Sequence, residues 1–225
     1  GSIWIDTVGM NGNGVISANG GSGRTEYWDR GGSGGGGRIA IYYSNGTYPV
    51  LNTTNVKAYG GVNSGDAGLN AGAGTIYVEQ RGVDQSYGGS LLIDNNNVNA
   101  KEAGLIEGIY QFKEIFLKRY GHLEVMGQAS VIELTSNAAV SGDTTKPRLG
   151  PRGTMVYTGE GVFNIDGYSL TVYGKIEGLT DIDIGTSLQG GLILYGNTWA
   201  YNKDVHPIFG TVNVNGLGTI TAYPY

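Results

Sequence analysis

The chain has no cysteine among its 225 residues. Disulfides, thiolate metal sites and cysteine nucleophiles are therefore excluded together, while the compartment stays open. Charge is also sparse: Asp, Glu, Lys and Arg make up 15% of the chain, with a formal net charge of -5. Binding to a nucleic-acid backbone needs a basic stripe, and the nearest approach to one is Lys113, Lys118 and Arg119. No nucleic-acid partner is expected. No apolar run reaches the ~20 residues that span a bilayer as a helix, and no signal-peptide pattern is seen, so membrane insertion is not expected either. The sequence lacks an initiator Met and opens on a strand-like pattern, which reads as a mature product or a fragment of a longer chain. Gly1-Ser2 fits a cloning remnant or the repeat described next.

Glycine is abundant, at 42 residues. That is roughly two and a half times the usual ~7% share, and it carries no collagen period. The glycines flank apolar triplets such as Ile3-Trp4-Ile5 and Leu91-Leu92-Ile93, a pattern of tight turns between short strands rather than of disorder.

Three strand openings share one form: Gly1-Ser2-Ile3-Trp4-Ile5, Gly37-Arg38-Ile39-Ala40-Ile41 and Gly74-Thr75-Ile76-Tyr77-Val78, at offsets of 36 and 37 residues. A second strand follows in each unit. Val15 to Gly21 matches Val56 to Gly61, and glycine-rich loops come after both, from Ser22 to Gly36 and from Val62 to Ala73. A fixed period of this size signals stacked repeats. Beyond Ile109 the period loosens while short alternating segments become dense, among them Val131 to Leu134, Leu170 to Tyr173, Ile182 to Ile184 and Leu192 to Tyr195.

The expected fold is therefore all-β, a right-handed parallel β-helix (β-solenoid) with long glycine-rich loops. It is read as one unit over 1–225: glycine repeats of about 37 residues over 1–100, an irregular insertion over 101–153 and regular coils over 154–225. Within 101–120, Leu105, Ile109, Phe112 and Phe116 have helical spacing, whereas Tyr110, Phe112, Ile115 and Leu117 alternate as strands do. Strand and one short helix both stay open there. The two prolines of Ser141 to Gly153 read as a break.

The series Gly-Ser-Ile-Trp-Ile, Gly-Val-Ile-Ser-Ala-Asn-Gly-Gly and Gly-Gly-Gly-Gly-Arg-Ile-Ala-Ile-Tyr-Tyr resembles the glycine-rich repeats of large bacterial surface and secreted proteins. Gly167 to Gly178 is similar to coils of filamentous-haemagglutinin-like and pectate-lyase-like β-helices. The resemblance implies an extracellular or cell-surface protein, used as an adhesin, stalk or polysaccharide-facing surface. Polygalacturonase-like enzymes of that fold carry an Asp-Asp motif that is absent here, and only Gly121-His122 echoes their Gly-His-Gly.

Candidate chemistry is thin. The glycine run before Arg38 lacks the Lys-Ser/Thr of a phosphate loop. His122 and His206 show no nucleophile or metal partner in sequence. Asp181 and Asp183 share one face of a strand and, with Asp166 and Glu177 nearby, could hold calcium through oxygen ligands or form a catalytic carboxylate pair. The plainer reading is a solvated face and no cofactor. Sixteen tyrosines and three tryptophans are the larger excess. Tyr27 with Trp28, Tyr42 with Tyr43, and Trp199 with Tyr201 are the candidate contacts for carbohydrate or a partner, against an alternative of stacking inside the fold.

The leading expectation is a non-enzymatic extracellular structural or adhesive module, assembling with copies of itself end to end into filaments. The alternative is a secreted carbohydrate-binding or polysaccharide-cleaving protein.

Overall fold

The computed structural model describes residues 1–24, 31–46, 51–82, 88–136, 138–179, 181–195 and 210–223. The chain is built from strands: β1 Ser2–Met10, β2 Ile16–Ser17, β3 Arg38–Gly46, β4 Val56–Lys57, β5 Thr75–Gln80, β6 Gly89–Asp94 and β7 Ala103–Leu105. There follow β8 Ile109–Lys118, β9 Leu123–Val125, β10 Val131–Leu134, β11 Val140–Gly142, β12 Arg148–Pro151, β13 Thr154–Tyr157 and β14 Phe163–Ile165. The last are β15 Ser169–Val172, β16 Lys175–Glu177, β17 Asp181–Ile184, β18 Gly190–Tyr195, β19 Thr211–Val214 and β20 Gly218–Tyr223. Among the described residues the helical content is a single 3₁₀ turn, Ala67–Leu69.

These strands form four sheets. The largest has nine strands in the order β1-β3-β5-β6-β8-β10-β13-β16, with β11 also on β8. The second has six, β20-β18-β15-β12-β9-β7; β14-β17-β19 and β2-β4 make the others.

The first two repeats are legible in the pairing. Ile3 lies opposite Ile39, and Ile39 opposite Ile76, at the spacing of the sequence motif. The glycine of that motif has a steric reason. A Cβ on Gly74 would lie 1.7 Å from the Gly37 carbonyl oxygen, and one on Gly37 would lie 2.0 Å from that of Gly1. Backbone stacks on backbone there, which only glycine permits. Gly74→Ala is expected to destabilise the fold by about 1–3 kcal/mol, because the clashing atom is main chain and cannot swing away. Chemical denaturation reads the loss as a lower midpoint at unchanged slope.

The expectation of a single right-handed parallel β-helix is overturned. The chain is nearly all β, but the nine-stranded sheet is mixed: β5 and β6 run antiparallel, with Tyr77 opposite Leu91. That reversal changes which face is inside. Ile39, Ile41, Ile76, Val78 and Leu92 form one core, joined by Val56 and Ala58. Leu91, Ile93, Ile115 and Leu117 belong to a second, larger core with Leu123, Leu149, Leu170 and Ile182. Leu91 and Leu92 are sequence neighbours on a strand, so they point to opposite faces. Both faces of β6 are buried, and the two cores lie on either side of it. A single solenoid has one interior and cannot give this arrangement.

The helical alternative over 101–120 is also replaced, by β7 and β8. A bulge explains the helix-like spacing. Gly89 pairs with Phe112 but Ser90 with Glu114, leaving Lys113 as an extra residue. The phase of alternation slips there, so Phe112, Ile115 and Leu117 share one core while Phe116 packs against the other. Ile109, which a helix would have buried, is 81% exposed. The segment Ser141 to Gly153 contributes β11 and β12, with Pro151 as the last residue of its strand.

Candidate functional site

The sequence-predicted aromatics separate. Tyr27, Trp28, Trp199 and Tyr201 lie outside the described residues. Tyr42 and Tyr43 are adjacent on β3 and diverge by strand alternation. Tyr43 packs against the smaller core. Tyr42 points outward between Trp4 and Tyr77, with ring centroids 4.8 and 5.7 Å away. The Arg81 guanidinium sits 5.9 Å above the Tyr42 ring and pairs with Asp6. Tyr77 donates its hydroxyl to Glu79 at 2.8 Å, and burial together with that carboxylate pushes the phenol well above its ordinary range.

Asp181 and Asp183 are half-buried on β17. Their cross-strand neighbours carry amides and a hydroxyl: Asp183 lies between Asn164 and Asn213, and Asp181 opposite Thr211. The Asn213 amide donates to Asp183 Oδ1 at 2.7 Å. Asp166 accepts from the backbone N–H groups of Thr186 and Ser187 at 2.7 and 2.8 Å. Among the described residues no group of three or more His, Cys, Asp or Glu side chains converges as metal ligands would.

The arrangement with most chemical content lies on the outer face of the six-stranded sheet. Its inward residues, including Leu123, Val125, Leu149, Leu170, Val172 and Leu192, belong to the larger core. Alternation therefore puts Glu124, Gly150, Thr171 and Ile193 outside. Leu123 pairs with Leu149, and Leu149 with Leu170. This register places Arg148 and Arg152 on the outer face two residues either side of Gly150, roughly 13 Å apart along the chain. Each arginine meets a glutamate from another strand or its approach: Arg148 with Glu102 at 3.2 Å, and Arg152 with Glu124 at 2.6 Å.

Between the pairs lies a trough of about 210 Å³ lined by Glu102, Glu124, Arg148, Arg152, Thr171 and Tyr173, with Gly150 in its floor. Gly150 is buried, and a Cβ there would meet Tyr173 Cε2 at 3.6 Å and nothing closer, so a small side chain fits without a clash. A second depression of about 380 Å³ lies on the same face over Ser169, Gly191 and Thr219. The small residues of that row, paired Ser169–Gly191–Thr219, keep the face low there.

One side of this track is walled by tyrosines. Tyr195 and Tyr223 are paired in register, and Tyr173 precedes them. Tyr173 stacks on Tyr195 at 4.8 Å and Tyr195 on Tyr223 at 4.7 Å, each pair within 11° of parallel. The Arg152 guanidinium continues the stack, 4.9 Å from the Tyr173 ring. Inside such a row the ring faces cover one another, and edges and hydroxyls are left to line the wall. Burial raises the Tyr173 pKa above the ordinary phenol value, so its hydroxyl keeps its proton near neutrality and can donate.

Sequence reasoning missed this row although its signal is present. Leu-Thr-Val-Tyr, Leu-Ile-Leu-Tyr and Ile-Thr-Ala-Tyr each carry a tyrosine at or just past the end of a strand, at Tyr173, Tyr195 and Tyr223.

His122, which shows no nucleophile or metal partner in sequence, is 3% exposed and stands next to the track. Its Nε2 lies 3.1 Å from Asn99 Oδ1, while Nδ1 has no partner. Burial, with Arg148 adding to it and Glu102 opposing, lowers its pKa to about 4. No family model, curated protein or solved structure matches this chain, so function is argued from its own geometry.

Proposed function

We propose that this chain is an adhesive module, at a cell surface or outside the cell, that holds an extended polysaccharide along the outer face of its six-stranded sheet. One observation carries the reading: an open, glycine-floored trough between two arginine–glutamate pairs, beside a stacked tyrosine wall. Planar charged side chains and phenol hydroxyls supply directional donors and acceptors for sugar hydroxyls, and charge-assisted bonds are the stronger kind. At about 210 Å³ the trough is smaller than the ~300–1,000 Å³ of a pocket that engulfs a ligand. It suits one ring of a chain that runs on over the second depression. Glu102 and Glu124 are each committed to an arginine, an arrangement for holding a sugar rather than for cleaving it.

Gly150→Leu tests this directly. The added side chain fills the trough from its floor, where the first carbon meets only ordinary contacts. Retention on immobilised polysaccharides is expected to fall at least about tenfold, a loss of ~1.4 kcal/mol in binding. Thermal stability should move by no more than about 1 kcal/mol. Unchanged retention by a folded Gly150→Leu protein counts against the trough.

A second reading, association of copies end to end, is favoured by the exposed edge at β19 and β20. Val212, Val214 and Ile220 are 39%, 49% and 47% exposed, although their register partners Ile182, Ile184 and Leu192 are buried. Open strand edges with apolar side chains invite pairing. Light scattering over a concentration series should show reversible growth that Ile220→Lys abolishes; a monomer at every concentration contradicts this reading.

A further inference from the structure

We infer that the trough selects uncharged sugars over uronate-bearing ones; the inference rests on the polysaccharide reading above. Its two guanidiniums give the site an anion-binding look, yet each is already matched. Arg148 is 3.2 Å from Glu102 and Arg152 is 2.6 Å from Glu124. The charges around Gly150 sum to zero, on a protein whose formal net charge is -5.

A ligand carboxylate entering the trough has to displace a glutamate from its arginine or lie beside it. Displacement exchanges one carboxylate–guanidinium pair for another and leaves the evicted carboxylate close by, repelling the newcomer. A neutral diol avoids both costs. It donates to a glutamate oxygen while accepting from an arginine N–H, and the ion pair stays in place. Tyr173 and Thr171 border the same space and add hydroxyls that donate or accept. The Arg152–Glu124 pair is held as a unit: Arg152 is fixed on one side by Glu124 and on another by the Tyr173 ring. Discrimination thus lies in the glutamates, which act as repulsive elements against an acidic competitor.

The experiment is affinity electrophoresis in gels containing β-glucan, galactomannan, xylan or polygalacturonate, at low and high salt. The wild-type chain should be retarded by at least one neutral polysaccharide, with little change on adding salt, and not by polygalacturonate. The double variant Glu102→Gln, Glu124→Gln leaves both arginines unmatched. It should gain about tenfold or more in apparent affinity for polygalacturonate, and salt should weaken that gain. Both glutamates sit in partly exposed pairs, so the variant should fold, which its circular dichroism melt verifies. Arg148→Gln with Arg152→Gln should lose the neutral polysaccharide and gain nothing.

Wild-type preference for polygalacturonate overturns the selectivity and leaves the polysaccharide reading standing. So does a double variant that binds polygalacturonate no better. Failure of wild type and variants to bind any of the four overturns both.

Discussion

Arg119→Ala is expected to cost the fold about 3–5 kcal/mol, the loss typical of stripping the partner from a buried charge. The charge at risk is Asp94, whose side chain is 1% exposed against 29% for Arg119. Asp94 ends β6, where both faces are covered, and its carboxylate is satisfied almost wholly by one residue. Arg119 Nε donates to Oδ1 at 2.9 Å and Nη2 to Oδ2 at 2.6 Å. The Asn96 backbone N–H adds a bond to Oδ1 at 2.9 Å. The same guanidinium donates to Asn96 Oδ1 and the Tyr59 hydroxyl and lies 5.3 Å over the Tyr59 ring. One arginine thereby ties the turn after β6 to the turn after β8 and to the chain beyond β4.

Removing the other partner is less damaging. Asp94→Ala leaves a cation that can reach water, and the loss should be about 1.5–3 kcal/mol. The double alanine variant should lose no more than Arg119→Ala alone, since its buried charge is gone. Urea denaturation of the three proteins gives the comparison. Equal single losses that add in the double variant contradict this account.

The second large effect is an acid limb set by His122. Its pKa is lowered to about 4 in the folded chain, against 6.5 when exposed. The folded protein therefore holds the imidazole neutral while the unfolded chain protonates it. The stability this contributes is complete above pH 6.5, is lost as pH falls from 6.5 to about 4, and changes no further below that. At ~1.4 kcal/mol per pH unit the full loss is about 3–4 kcal/mol. His122→Phe removes the titrating ring and its unpartnered Nδ1 and leaves Asn99, which is exposed, to solvent. Melting temperatures across this range should flatten in the variant; parallel wild-type and variant curves would rule His122 out as the source.

What the sequence revealed follows from which forces act over short distances. The repeat openings were visible because backbone stacking demands glycine at both Gly37 and Gly74, although a Cβ on Gly1 would meet nothing. Strand character was visible wherever one face is buried and the other wet, as in Leu123-Glu124-Val125. The change of interior at β6 was not, because a strand covered on both faces loses its alternation and reads only as an apolar run. Leu91-Leu92-Ile93 is that run. The bulge at Lys113 hid β8 in the same way, by imitating a helical period.

For the site, Tyr42 and Tyr43 were expected together as candidate contacts, but strand neighbours diverge: Tyr43 packs against the smaller core while Tyr42 lies between Trp4 and Tyr77. The trough escaped notice because its parts are contributed by strands far apart in sequence: Glu102, Glu124, Arg148 and Thr171 share no motif and meet only through register. Gly150, read as part of a proline-marked break, turns out to be the floor on which the reading depends.

The most direct test of the central claim is a titration of the ¹⁵N-labelled chain with oligosaccharides of the polysaccharide that retains it, followed by amide shifts. The account predicts progressive shifts gathered on Glu124, Gly150, Arg152, Thr171 and Tyr173, with Trp4, Tyr42 and Asp183 unmoved. Shifts centred on Trp4 and Tyr42, or on Asp181 and Asp183, with the Gly150 amide silent, would place the sugar on another face and contradict it.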